Sequence, residues 1–106
     1  MNIKVQSVGF KADPIFENMI IDFFEDMQKK YPRIDSCLVT LRRQNVESKL
    51  NELIELKMIL PGGTIFSSER SDSFEVSWKK ISQNLRRRFK KYQGRFDKNK
   101  REKMSI

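Results

Sequence analysis

The chain has 106 residues, 38% hydrophobic and 34% charged, with eight Phe, two Tyr and one Trp to build a core; at roughly 100 to 200 residues per domain it is one compact domain and at most a tail. Histidine is absent and cysteine occurs once, which excludes His-based general acid-base catalysis, Ser-His-Asp and Cys-His arrangements, the usual zinc ligand sets and any internal disulfide. The charge is one-sided: residues 1–78 hold 10 basic and 12 acidic residues, a net −2, whereas residues 79–106 hold 12 basic and 2 acidic, a net +10.

Residues 2 to 8, NIKVQSV, alternate apolar and polar with the period of a half-buried strand. Asp13 followed by Pro14 is a helix start, because Asp accepts from free first-turn amides and Pro at the first helical position gives up no needed donor. Ile15, Phe16, Met19, Ile20, Phe23, Phe24, Met27 and Tyr31 follow at helical spacing as one wide apolar stripe, and Pro32 ends the helix. From Ile34 to Arg43 the period returns to two, with Cys37, Val39 and Leu41 on one face of a second strand. The polar segment Gln44 to Ser48 is of hairpin-loop length. A third strand carries Ile54, Leu56, Met58 and Leu60 on one side, and Pro61-Gly62-Gly63 turns the chain into a short fourth strand, Thr64 to Glu69.

Asp72 and Glu75 have the spacing of a capping box before a second helix. Phe74, Trp78, Ile81, Leu85, Phe89 and Tyr92 then fall within about 40° of one line on a helical wheel. Gly94 is the expected helix end, leaving residues 93–106 as a basic, flexible tail after a domain spanning 1–92. The expected fold is therefore a two-layer α+β domain, β-α-β-β-β-α, with a four-stranded sheet and both helices on one of its faces. The other sheet face and the outward sides of the helices remain for function.

The chemistry-bearing constellation lies on the second helix. With Leu85 as the inward direction, Lys79, Arg86 and Lys90 fall about 100° to 140° away, and Lys80, Arg87 and Lys91 about 200° to 240° away. Each ladder has the spacing i, i+7, i+11 and rises about 16 Å at 1.5 Å per residue, with Arg88 to one side and Arg95 beyond. Such ladders can meet successive phosphates, Arg through a planar fork and Lys as a mobile point charge. A plain solvated helix face would normally mix signs, whereas no acidic residue occurs between Lys79 and Lys91, so no i,i+4 ion pair relieves the repulsion. A polyanion partner is the better reading of the run.

The remaining candidates have simpler explanations. The aromatic residues Phe16, Phe23, Phe24, Phe74, Trp78 and Phe89 lie on inward stripes and belong to the core. The sheet lacks the spaced aromatic-basic signature of the common RNA-recognition sheet modules, so contact to phosphate and shape is expected. Cys37 alternates with core residues and reads as a small buried hydrophobe. Glu17, Asp22, Glu25 and Asp26 read as a solvated helix face, and Gly62 and Gly63 as a turn, with no trailing Lys-Ser or Lys-Thr of a phosphate loop. No cofactor, metal or small-molecule substrate is expected, and an enzyme is not. No stretch approaches the roughly 20 apolar residues of a membrane span, and the opening MNIKVQSVGF lacks the basic and apolar regions of a secretory signal. A cytoplasmic protein, monomeric when free, is the expectation.

The opening MNIKVQSVGFKADP, the segment LKMILPGGTIFSSE, the helix start SDSFEVSW and the ending LRRRFKKY occur in an order and spacing that resembles the short ribosome hibernation promoting factors. These are also called ribosome-associated inhibitors or sigma-54 modulation proteins. The turn Pro61-Gly62-Gly63 after an alternating strand is the most specific of these pieces, and the resemblance spans residues 1 to about 92. It implies the same β-α-β-β-β-α fold, similar to double-stranded RNA binding domains. It also implies a bacterial stress or stationary-phase factor that binds the small ribosomal subunit in the mRNA channel near the aminoacyl and peptidyl sites and inhibits translation by occupancy. The ribosomal RNA contacts implied match Lys79, Lys80, Arg86, Arg87, Lys90 and Lys91, with Arg42 and Arg43 at one end of the sheet; Arg88 and Arg95 are added on charge. The pattern departs from relatives at Gly9, where they often carry a His or another polar residue, and the second domain of longer relatives is not in these 106 residues. Two other functions are compatible with the residues: a generic domain for structured RNA, and a protein-binding modulator of transcription, whose binding would survive high salt.

Overall fold

The computed structural model describes residues 2–44 and 51–104, with side chains through Lys90. Its elements run β1 (Asn2–Val8), α1 (Pro14–Lys30), β2 (Ser36–Arg43), β3 (Glu52–Leu60), β4 (Gly63–Ser71) and α2 (Phe74–Met104). The sheet order is β1-β2-β3-β4, with β1 parallel to β2 and the two other pairs antiparallel. A parallel pair needs a crossover, and α1 supplies it between β1 and β2.

Register places the core. Cys37, Val39 and Leu41 of β2 face Met58, Leu56 and Ile54 of β3, and all six are buried. Because side chains alternate across a strand, the two central strands present one apolar face, and both helices pack on that side of the sheet. α1 packs on β1, and α2 on β3 and β4. Aromatic rings close the seam between the helices: Trp78 meets Phe23 and Phe24 edge-on at centroid distances of 5.1 and 5.8 Å, and Tyr31 meets Phe89 at 4.6 Å. The α+β order and layer arrangement expected from periodicity are those of the molecule.

Four local expectations need adjustment. The stripe of α1 is narrower than its apolar residues suggested, since Ile15 is 79% and Met19 44% exposed while Ile20, Phe24 and Met27 are buried; on the wheel Ile15 lies about 140° and Met19 about 100° from Ile20. The cap of α2 is Ser73, whose hydroxyl accepts from the Val76 amide at 3.2 Å, because the Ser71 hydroxyl accepts from the Ser73 amide and carries the chain one residue past Asp72 before the helix begins. β4 is longer at both ends than Thr64 to Glu69, since its pairing with β3 runs from Gly63 to Ser71. Finally, α2 does not stop at Gly94 but continues to Met104. A glycine inside a helix costs only about 1 kcal/mol relative to alanine, and no proline follows it in this chain. The cap of α1 is as expected: Asp13 accepts from the Ile15 amide at 3.0 Å with Pro14 opening the helix. Most of the Gln44 to Ser48 loop lies outside the described residues, but the Gln44 amide donates to the Asn51 carbonyl at 2.8 Å and closes the hairpin there.

Candidate nucleic-acid interface

The core fixes the roll of α2. Phe74, Trp78, Ile81, Leu85 and Phe89 are all buried, between 0 and 8% exposed, so the remaining directions of the helix must point outward or along its flanks. Lys79, Lys80, Arg86, Arg87, Arg88 and Lys90 are accordingly exposed. The side chains of Lys91 and Arg95 lie outside the described residues.

These cations are not equivalent. Arg86 lies on the flank toward α1, its guanidinium 5.3 Å from the Phe23 ring centroid, a cation–π contact that also orients the fork. Arg88 lies on the opposite flank, where Nη1 donates to the Phe66 carbonyl at 3.0 Å. The side chains of Lys79, Lys80, Arg87 and Lys90 make no ion pair or hydrogen bond among the described residues. Four uncompensated cations thus stand between two held arginines along the outward side of one rigid helix. The groove between the helices, about 550 Å³, adds Lys30 of α1 beside Arg86 and Lys90.

Arg42 and Arg43 belong to a different environment. Arg42 pairs through Nε with Glu55 across the β2–β3 ladder. Arg43 is 3.4 Å from Glu52 and lies over the Phe10 ring at 4.6 Å, itself stacked on Phe74 at 4.9 Å. Glu52 also accepts from the Phe74 amide at 2.9 Å. The family resemblance placed both arginines among the RNA contacts, at one end of the sheet; in the fold each is matched by a carboxylate, so neither adds an unbalanced charge. Cross-strand register decides this, and it cannot be read without knowing which strands pair.

Burial pushes the Cys37 thiol up to about 12, the opposite of what a reactive thiolate requires. Among the described residues no three His, Cys, Asp or Glu side chains gather into a metal cage. Among them, too, no helix is long and apolar enough to cross a membrane.

Comparison with known proteins places this arrangement. The family model described as sigma 54 modulation protein / S30EA ribosomal protein matches residues 3–97. The chain belongs to that family. Two solved structures are similar in fold: a ribosomal subunit interface protein from Coxiella burnetii, with a TM-score of 0.73 at 19% identity over 89% of this chain and 99% of that one, and the N-terminal domain of Protein Y from Thermus thermophilus, with a TM-score of 0.69 at 16% identity over 87% and 99%. No protein of curated function matches the chain. The family match runs from within β1 to within α2, and takes in the basic segment of α2 as far as residue 97.

Proposed function

We propose that this protein is a ribosome hibernation factor that binds ribosomal RNA of the small subunit near the decoding site and silences translation by occupying the space of mRNA and tRNA. The observation that carries the reading is the row Lys79, Lys80, Arg87 and Lys90, exposed and without an ion pair among the described residues, on a helix whose inward face is locked into the core. Family membership supports the ribosome as the source of the phosphates, as does the likeness in fold to a protein described as a ribosomal subunit interface protein.

The mechanism is steric and electrostatic, with no bond made or broken. Phosphates displace counterions as they meet the helix cations, which supplies affinity without base reading. A helix seated on a sheet loses little conformational freedom on binding, so its charges act as a preformed template. The charge-compensated Arg42 and Arg43 contribute less, since contact with phosphate requires breaking or sharing an existing ion pair. Cytoplasmic residence and action as a monomer under stress or in stationary phase complete the proposal.

Co-sedimentation with ribosomes and isolated subunits across a salt series, with mRNA or tRNA as competitor, tests it. The expected result is binding to the small subunit that weakens steeply with salt and is displaced by tRNA. Binding unaffected by salt would point to an apolar protein partner instead, and absence of ribosome binding at low salt would overturn the reading.

A further inference from the structure

The sheet face away from the helices carries a second constellation. Leu38 alternates with buried Cys37 and Val39, so it faces away from the core. Register sets Lys4 opposite Leu38, Leu38 opposite Lys57 and Lys57 opposite Phe66, one row of cation, apolar side chain, cation and aromatic ring across all four strands. Phe66 is 65% exposed, and Lys57 Nζ stands 5.9 Å from its ring centroid. An open trough of about 380 Å³ runs beside the ring, lined by Leu38, Thr40, Glu55, Lys57, Phe66 and Ser68 on this face. Glu55 is already paired with Arg42, whereas Lys4 and Lys57 have no ion-pair partner among the described residues. The unbalanced charge of the face is positive.

We propose that this open sheet face is a stacking platform for an unpaired stretch of RNA, with a base on the Phe66 ring and phosphates at Lys57 and Lys4. A surface for an apolar peptide would not interleave lysines with its hydrophobic positions, whereas a single-stranded nucleic acid presents a flat apolar ring and an anion in each nucleotide. Lys57 Nζ, 5.9 Å from the Phe66 ring centroid, is near enough for one nucleotide to set its base on the ring and its phosphate at the ammonium. Aromatic stacking needs no particular base, because every base has a π-face. Arg88 of α2 reaches the strand that carries the ring, donating to the Phe66 carbonyl at 3.0 Å. The inference shares with the proposed function its class of ligand, but neither the surface nor the ribosome.

Fluorescence anisotropy with a short unstructured oligoadenylate, and with a hairpin duplex of equal length, tests it on the whole chain. Phe66→Ala is expected to weaken oligoadenylate binding about 10-fold or more with unchanged circular dichroism, and Phe66→Tyr to keep it. Lys57→Ala is expected to reduce the slope of log affinity against log salt by about 1. Oligoadenylate binding by Phe66→Ala equal to that of the wild type overturns the platform, as does a preference for the duplex. A dimer in sedimentation velocity that Phe66→Ala dissolves also overturns it, by assigning the face to a second copy of the chain. Oligoadenylate binding that depends on Phe66 in a protein that fails to sediment with ribosomes removes only the ribosome reading.

Discussion

The carboxylate of Glu52 accepts a hydrogen bond from the Phe74 amide at 2.9 Å, tying the start of β3 to the first turn of α2. Its other oxygen is 3.4 Å from Arg43, and its backbone carbonyl accepts from the Ser77 hydroxyl at 2.9 Å. A carboxylate at a helix N-terminus meets both free amides and the positive end of the helix dipole. One residue thus fixes where α2 leaves the sheet, and with it the direction of the basic face.

Glu52→Ala removes that acceptor, and its expected cost is about 1 to 3 kcal/mol of stability. Glu52→Gln keeps an oxygen for the Phe74 amide and is expected to lose less. Urea midpoints of the two variants check this ranking; an Ala variant as stable as the wild type would show that the bond is idle.

Trp78→Ala opens a cavity beneath both helices, since the indole is 7% exposed and touches Phe23 and Phe24. The expected loss is about 3 to 5 kcal/mol, read as a fall in thermal midpoint. A midpoint that hardly moves would mean that the rings of α1 repack without it.

Gly9 and Gly62 offer a controlled comparison. Both have positive φ, +87° and +88°, but a Cβ on Gly9 would stand 3.2 Å from the Arg43 carbonyl oxygen, whereas one on Gly62 meets nothing within 4 Å. Alanine at Gly62 is expected to carry the left-handed backbone penalty alone, about 1 to 2 kcal/mol. At Gly9 the crowding adds to it, so Gly9→Ala unfolds at lower denaturant. Equal midpoints would locate the whole effect in the dihedral angle.

Replacing Lys79, Lys80, Arg87 and Lys90 together by Ala leaves the fold intact, because these side chains are exposed and alanine favours helix. Ribosome affinity is expected to fall severely, with the salt slope reduced by about 1 for each phosphate that no longer meets a cation. Unaltered co-sedimentation of the folded variant would take this face of α2 out of the interface.

Cys37 sets an alkaline limit. Its thiol ionises near 9 when unfolded and is pushed up to about 12 by burial, so above pH 9 the unfolded state releases a proton that the folded state retains. Stability is therefore intact below pH 9 and falls as pH rises from 9 toward 12. Chemical denaturation at stepped pH checks this against Cys37→Ala, in which that component of the decline is absent. Parallel declines in the two proteins would refute it.

Periodicity alone determined most of this molecule. The alternation in β2 and β3 and the Phe74 to Phe89 stripe select both the elements and their buried faces, because burying apolar side chains is the dominant favourable contribution to folding and each element has only one face that can do so. The exposure of Lys79, Lys80, Arg87 and Lys90 follows from the same stripe by exclusion, so the charged face of α2 was legible residue by residue. What the tertiary structure decided is which neighbours each charge and ring acquires. Arg42 and Arg43 are basic in sequence yet balanced in space by Glu55 and Glu52, which lie 13 and 9 residues away and come opposite only through β2–β3 pairing. Phe66 reads as an ordinary strand residue until the register sets it beside Lys57 on the uncovered face. Local pattern fixes which way a side chain points, whereas pairing between distant segments fixes what it meets there.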